Sequence, residues 1–232
     1  MSFLHRPTTN AFMIRVAVLI DGGFFLKRYP SLYGRQRPAD EAAKDMHAMA
    51  RKHIDRKRNE VLYRILFYDC PPLCKKVHQP VSGKSLDFAK TDQAIFRNSF
   101  HNNLRSLRKV ALRLGHIADG KGWQFGDDAT KDLLTGQRLQ AQMTDLDFRY
   151  DMRQKGVDIK IGIDIASLAI KKMVEKIVLV SGDADFVPAA KLARREGIDF
   201  VLDPMWNHIQ PGLNEHIDGL MSTCPKPRIS QR

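Results

Sequence analysis

The sequence has few cysteines and no long apolar run. Only Cys70, Cys74 and Cys224 occur among 232 residues, too few and too unevenly spaced for a disulfide framework, so we expect a reducing cytoplasm. No apolar stretch reaches the roughly 18 to 20 residues of a membrane span. The first ten residues also lack the apolar core of a secretion signal. We therefore expect a cytoplasmic protein with no membrane association.

The cysteines offer at most a weak zinc motif. Cys70, Cys74 and His78 follow one another at intervals of four, but two prolines interrupt the run and no fourth ligand is nearby. A structural zinc site needs four ligands. We interpret this segment as an ordinary loop.

Acidic residues are also scarce relative to basic ones. Lysine and arginine number 38 against 26 acids, which gives a formal net charge of +12 and a pI of about 9.8. Such a surplus favours a polyanionic partner, although a basic enzyme with no such partner has the same composition.

The chain length suits one large α/β domain better than two full domains. We expect a flexible tail over 1–13, one domain over 14–222 and a basic tail over 223–232. The middle of the domain, residues 73–150, is the hardest part to interpret.

Short runs rich in Val, Ile and Leu predict buried strands. Helical patterns lie between them, and the strand–helix–strand order near the carboxyl end predicts a parallel pair. The predicted strands are 14–20, 61–68, 110–117, 177–181 and 198–202. The predicted helices are 39–58, 92–109, 155–172 and 186–196. We interpret 120–135 as a loop, and 137–152 as helical, with an extended alternative over 144–150.

Two of these strands end in aspartate. Asp21 closes the first strand, and Asp183 and Asp185 follow the strand at 177–181. Ligands bind at the carboxyl ends of parallel strands, and carboxylates gathered there repel one another. Such a cluster indicates a divalent cation or a displaced proton.

Each acid also has a structural interpretation. Asp183 or Asp185 can cap the helix that follows, and Asp158 can cap its own helix. Capping needs only one acid of the 183/185 pair and leaves the other unexplained. Asp69 and Asp203 end strands beside proline, and we interpret both as turn residues.

Three segments resemble the NYN domains, nuclease-like members of the PIN-like group, and in particular their LabA-like bacterial branch. They are residues 18–24, 155–164 and 179–188, and residues 68–72 also match the end of the second strand in these proteins. The resemblance runs from about 14 to 220. It departs at Gly23, where many relatives have asparagine.

The resemblance implies a three-layer α/β/α sandwich with a central, mainly parallel sheet. It also implies a metal-dependent ribonuclease that uses Mg²⁺ or Mn²⁺ and acts on RNA. The expected catalytic and metal-binding residues are Asp21, Asp158, Asp183 and Asp185. Asp164 is an additional metal ligand, and Lys155 and Ser181 are expected to bind substrate. Candidates for the surrounding RNA-binding surface are Arg35, Arg37, Lys75, Lys76, Arg105, Arg108, Lys109 and Arg113.

Two other functions fit parts of the pattern. A regulatory module of the same family would bind RNA without cutting it. A haloacid-dehalogenase-like phosphatase would need a second acid two residues after Asp21, where this chain has Gly23. The sequence leaves open whether the protein forms a homodimer.

Overall fold

The computed structural model describes residues 12–34 and 37–227, and its centre is a parallel sheet of six strands. The predicted three-layer α/β/α fold is confirmed. The sheet order is β10-β9-β8-β1-β2-β5, and two separate antiparallel hairpins are formed by β3 with β4 and by β6 with β7. The strands are β1 (Ile14–Asp21), β2 (Glu60–Asp69), β3 (Lys76–His78), β4 (Ser85–Asp87), β5 (Val110–Leu114), β6 (His116–Phe125), β7 (Phe148–Lys155), β8 (Lys176–Val180), β9 (Asp199–Asp203) and β10 (Gly219–Leu220).

Helices cover both faces of this sheet. Val16, Val18 and Ile20 pack under α1 to α3, whereas Ala17 and Leu19 pack under α5 and α6, as the alternation of a strand requires. No helix in the described ranges is both long and apolar enough to cross a bilayer. The helices are α1 (Gly22–Tyr33), α2 (Ala39–Arg51), α3 (Asp92–Ser106), α4 (Asp127–Leu134), α5 (Val157–Ile170), α6 (Val187–Arg195) and α7 (Pro211–Asn214).

The strand order creates a crevice between β1 and β8. From β1 the chain proceeds to β2 on one side, and the later strands β8, β9 and β10 are added on the other. The order therefore reverses between β1 and β8. Ligands of open parallel sheets bind at the carboxyl ends of the strands beside such a reversal.

The middle segment differs from the sequence prediction. The strand predicted over 110–117 is two strands, because the chain turns at Gly115 to leave the sheet. A Cβ there would lie 2.4 Å from the Lys155 carbonyl oxygen. The predicted loop over 120–135 contains the end of β6 and all of α4.

The helical interpretation of 137–152 is wrong, and the extended alternative is correct at its end, where β7 begins at Phe148. The segment is polar, and its strand conformation depends on pairing with β6. The rings of Phe125 and Phe148, whose centroids are 4.5 Å apart and whose planes are tilted by 31°, pack against each other at one end of this pair.

Two predicted boundaries also change. The helix expected to reach residue 58 ends at Arg51, and Asp55 caps a separate 3₁₀ turn. At the carboxyl end, Thr223 donates a hydrogen bond to the Met49 carbonyl oxygen at 3.0 Å, and Cys224 is buried. The packed chain thus extends past the predicted start of the tail at 223. The predicted tail segments 1–11 and 228–232, and Arg35, lie outside the described residues.

Gly22 allows α1 to begin directly against β2. A Cβ on Gly22 would lie 2.5 Å from the Phe67 ring and 2.5 Å from the Tyr68 carbonyl oxygen. The carbonyl oxygen belongs to the backbone of β2 and cannot move aside as a flexible side chain can. We expect Gly22→Ala to lower the free energy of unfolding by about 1 to 3 kcal/mol or more, because overpacking against backbone forces the helix to shift. Urea unfolding measures this change.

Gly162 is the matched control, since a Cβ there meets nothing within 4 Å inside α5. Gly162→Ala is expected to raise stability by about 0.5 to 1 kcal/mol through helix propensity. Equal effects of the two substitutions would contradict the close approach at Gly22.

Candidate functional site

Asp21 lies where β1 ends and α1 begins, beside the crevice. Its Oδ1 accepts a hydrogen bond from the Phe24 amide at 3.1 Å, so it caps the helix. Ser181 lies just past the neighbouring strand β8, is fully buried, and has its hydroxyl 3.5 Å from Asp21 Oδ2. The Asp21 carboxylate is thereby fixed from both strands.

The turn after β8 carries the next two acids. The Asp183 amide donates to Ser181 Oγ at 3.3 Å, and Asp183 Oδ1 accepts from the Asp185 amide at 3.0 Å. Asp183 caps the short 3₁₀ turn Ala184–Phe186 that precedes α6. The helix α6, which the sequence predicted either acid to cap, has no side-chain cap of its own. Capping uses one oxygen of Asp183 and does not involve the exposed carboxylate of Asp185.

Gly182 brings this turn close to α1. A Cβ on Gly182 would lie 2.8 Å from the Phe24 ring. The absence of a side chain therefore lets the two acid-bearing loops approach each other.

Asp158 comes from the opposite side, in the first turn of α5. It does not cap its helix, because the cap position is Gly156, whose φ of 81° is in the left-handed region. Burial raises the pKa of Asp158, and the negative charges of Asp183 and Asp185 raise it further. Three segments distant in sequence thus bring their carboxylates within electrostatic range.

The cluster carries uncompensated negative charge. Burial raises the pKa of Asp21 from 3.8 to about 6, and the charges of Asp158 and Asp183 add to the shift, while backbone hydrogen bonds from Phe24 and Gly23 oppose it. Within the described residues, none of the four clustered aspartates forms an ion pair. Such repulsion is typical of a site that receives a cation.

Asp164 has partners away from this cluster. Its Oδ2 accepts from the Tyr68 hydroxyl at 2.8 Å and lies 3.2 Å from Arg113 Nε. The structure therefore does not bring Asp164 to the other predicted ligands. Lys155 is exposed at the end of β7, three residues before Asp158, with its side chain free of ion pairs in the described ranges.

The donor set suits a hard divalent cation, because Mg²⁺ and Mn²⁺ prefer carboxylate oxygens and retain several waters. As the side chains lie, however, the described part of the chain has no group of three or more His, Cys, Asp or Glu that could hold an ion. Binding would require side-chain rotation of the exposed acids. In the segment interpreted as a loop, Cys70 donates to the His116 carbonyl oxygen at 3.4 Å.

Asp69 and Asp203, which we interpreted as turn residues, are fully buried. They differ from the four clustered aspartates in that each lies against a histidine. Asp69 Oδ2 lies 2.8 Å from His101 Nε2 and 3.5 Å from Arg97 Nε. Asp203 Oδ2 lies 2.9 Å from His53 Nε2. These pairs were missed because each joins residues far apart in the chain, 32 residues for Asp69 with His101 and 150 for Asp203 with His53. The sequence around either histidine has no local pattern that signals the pairing.

Several candidate basic residues are engaged elsewhere. Arg37 pairs with Asp45 at 3.1 Å and Lys75 pairs with Asp119. Arg108 and Lys109 line a cavity at the opposite, amino-terminal edge of the sheet. These four residues therefore do not form a basic ring around the acidic cluster.

Gly23 leaves a space beside Asp21 that another residue approaches. A Cβ on Gly23 would lie 3.4 Å from Asp21 Oδ1 and equally far from Gln154 Oε1. The Gln154 amide from β7 thus lies next to Gly23. This contact was not predicted, because the pairing of β6 with β7 was not predicted.

The raised pKa of Asp21 predicts a pH-dependent loss of stability. Its pKa is 3.8 ordinarily and about 6 in the folded protein, so folding favours the protonated acid. This stabilisation is complete below about pH 4 and is lost as the pH rises through about 6, a change on the order of 2 to 3 kcal/mol. In EDTA, Asp21→Asn should raise the free energy of urea unfolding by about 1 to 3 kcal/mol near pH 8 and by almost nothing near pH 4, because asparagine retains the cap.

Asp147→Asn provides a control of opposite sign. Arg138 holds the pKa of Asp147 below its usual range, so ionised Asp147 stabilises the fold at neutral pH, and its replacement should lower stability there. A less stable Asp21→Asn variant near pH 8 would contradict the account of Asp21.

Two comparisons found proteins that are similar to this chain. A curated relative, the uncharacterized protein MJ0482 of Methanocaldococcus jannaschii, is 25% identical over 105 residues, or 44% of this chain. That alignment spans only 40% of the relative's length. A protein of unknown function from Vibrio parahaemolyticus, VPA0982, superposes with a TM-score of 0.46 at 13% identity, covering 90% of this chain and 92% of that one.

The family model of the NYN domain matches residues 90–207. The match includes Asp158, Asp183 and Asp185 and begins after β1, which carries Asp21. It covers just over half of the 232 residues. The chain belongs to the NYN domain family.

Proposed function

We propose that this protein is a metal-dependent ribonuclease that hydrolyses RNA phosphodiester bonds. The observation that carries the proposal is the gathering of Asp21, Asp158, Asp183 and Asp185, without cationic partners among the described residues, at the crevice between β1 and β8. A crevice at the carboxyl edge of a parallel sheet is where substrates bind in such folds. Its charge would repel a phosphate, so phosphate binding there needs a cation.

Each carboxylate has a distinct part in holding that cation. Asp21 is the fixed member, since its orientation is set by the Phe24 amide and Ser181. Asp158 and Asp185 are exposed and can rotate toward the crevice. Asp183 keeps one oxygen on the turn and has the other available. We propose Mg²⁺ or Mn²⁺ as the ion.

A bound divalent cation would supply a readily deprotonated water and would neutralise charge on the phosphate and the departing oxygen. Ser181 keeps Asp21 in position and, being fully buried, is assigned a supporting role. Lys155, exposed beside α5, would bind a phosphate oxygen of the substrate.

RNA is proposed as the substrate on two grounds. The chain carries a net charge of +12 despite its acidic crevice, and such a surplus promotes association with a phosphate backbone. The three sequence motifs resemble the LabA-like branch, and we propose membership of that branch on the same residues.

The direct test is cleavage of mixed single-stranded RNAs with Mg²⁺ or Mn²⁺, with EDTA as the control. Asp158→Asn is expected to lower the rate at least about a hundredfold, since substitutions outside the ligand set of metal sites already cost 10- to 100-fold. Asp164→Asn, on the same helix but paired with Arg113, should retain most activity. An inactive wild type, or equal activity of wild type and Asp158→Asn, would overturn the proposal.

A binding measurement tests the metal site without catalysis. Because an ion that binds only the folded state stabilises it, excess Mn²⁺ should raise the unfolding temperature of the wild type. The Asp21→Asn variant should respond much less, and Asp164→Asn should respond like the wild type. If neither Mn²⁺ nor Mg²⁺ raised the unfolding temperature of the wild type, that result would argue against the metal site.

A second candidate function is RNA binding without turnover. It is favoured by one observation, that no three potential ligands in the described residues already form a group able to hold an ion. RNA affinity that is unchanged by EDTA, together with no cleavage in either metal, would support this alternative.

A further inference from the structure

A small cavity adjoins the acidic crevice on the side of α3. It has a volume of about 200 Å³ and lies between the start of α3 and one face of the β6–β7 hairpin. Drug-sized ligand pockets measure about 300 to 1,000 Å³, so this cavity suits a single ring system. Its walls include the apolar side chains Leu73, Phe88, Ile117 and Met152 and the polar side chains Arg97 and Gln154.

The hairpin presents one continuous face to this cavity. Ile117 pairs with Gln154 across the two strands, and Met152 and Gln154 lie on the same face because they are two residues apart in β7. Met152 is 43% exposed. Pockets that bind small ligands are lined mainly by apolar side chains, and Met152 contributes one such contact.

An aromatic group continues that face. The Tyr150 ring lies 5.1 Å from Phe88 and 5.3 Å from Trp123, measured between centroids. The sequence showed no such grouping, since these residues come from three separate segments. Of these rings Phe88 lines the cavity, where an aromatic ring offers a π-face on which a flat base can stack; Tyr150 and Trp123 pack behind it.

The polar groups of the cavity suit the edge of a base. The Gln154 amide is exposed and makes no hydrogen bond within the described residues, so it can both donate and accept. Arg97 is held 3.5 Å from Asp69 Oδ2, with its side chain only 15% exposed. Its planar guanidinium can donate to carbonyl oxygens or lie against a ring.

Gln154 joins the cavity to the crevice. Its Oε1 and Asp21 Oδ1 each lie 3.4 Å from the position of a Cβ on Gly23. A ring in the cavity is therefore separated from the acidic cluster by roughly one side chain. This separation suits a base and its own phosphate within one nucleotide.

We propose that the cavity binds the base of one unpaired nucleotide next to the phosphate held at the acidic crevice. A base that is stacked and paired in a duplex would have to be extruded before it could enter the cavity, so we expect unpaired nucleotides to be preferred. The inference rests on the proposed nuclease function for the phosphate, whereas base binding itself can be measured without cleavage.

The binding experiment uses tryptophan fluorescence in EDTA. Trp123 lies 6.4 Å from Phe88, which lines the cavity, and Trp206→Phe removes the only other tryptophan. In this background, uridine and adenosine 5′-monophosphate should change the fluorescence of Trp123 in a saturable way. Ribose 5-phosphate, which has the phosphate but no base, should not.

Two variants and a matched control locate the site. Gln154→Ala and Met152→Ala should each weaken the binding of the monophosphates about fivefold, the effect of losing one hydrogen bond or part of an apolar contact. Gln124→Ala removes the same side chain from the partner strand, but Gln124 pairs with Arg149 and faces away from the cavity. The Gln124→Ala variant should bind the monophosphates as tightly as the Trp206→Phe parent protein does.

Several outcomes would overturn the inference. They are no response to either monophosphate, an equal response to ribose 5-phosphate, or equal affinities for Gln154→Ala and Gln124→Ala. The unfolding midpoint of each variant shows whether it is folded. If Met152→Ala is misfolded, the affinity of Gln154→Ala decides, because that substitution changes an exposed side chain.

Cleavage separates this inference from the proposed function. If the wild type cuts RNA, a single strand should be cut at least about tenfold faster than the same strand in a duplex, given the cost of extruding a base. Cleavage of both at equal rates would overturn base capture while leaving the nuclease intact. Base binding without any cleavage would support the cavity and contradict the nuclease.

Discussion

The central constraint on this structure is the electrostatic repulsion among four carboxylates at one crevice. Buried charge is costly unless it is paired, and two other aspartates in this protein follow that rule. Asp69 and Asp203 are fully buried at strand ends and each lies against a histidine. Asp21 is partly buried at an equivalent strand end, yet it has neighbouring carboxylates in place of a cation. The contrast is between acids whose charge is compensated inside the fold and acids whose charge is not.

Close packing of the backbone keeps the four carboxylates near one another despite their repulsion. Gly22 lets α1 start against β2, and Gly182 lets the turn after β8 approach the Phe24 ring. Helix capping then fixes the Asp21 carboxylate. Capping uses one oxygen of each carboxylate, so it is compatible with the cation binding that we propose for Asp21 and Asp183. For Asp183, the capping role and the proposed role in the site, between which the sequence posed a choice, therefore do not exclude each other.

The sequence predicted the elements whose side chains are buried on both faces of the sheet. The runs ending at Asp21 and before Asp183 needed no partner information, because an uninterrupted Val, Ile and Leu pattern occurs mainly in a central parallel strand. The β6–β7 hairpin was not predicted, because its strands are polar and are stabilised by pairing with each other. Asp164 matched a family motif, but its carboxylate is paired with Arg113 from β5. Long-range pairing of this kind is invisible in a local pattern.

The parallel sheet, which the sequence predicted, and the β6–β7 hairpin, which it did not, contribute different groups to the candidate site. The parallel sheet and its glycine turns place Asp21, Asp158 and Asp183 together, an arrangement set by strand order and suited to any phosphodiester. The β6–β7 hairpin supplies Gln154 and an aromatic face beside that cluster. If the crevice holds a phosphate as we propose, contacts to the base can distinguish one nucleotide from another, because the phosphate is common to all of them. The β6–β7 hairpin lies outside the central sheet, so substitutions in it can change such contacts without disturbing the strand ends that carry the acids.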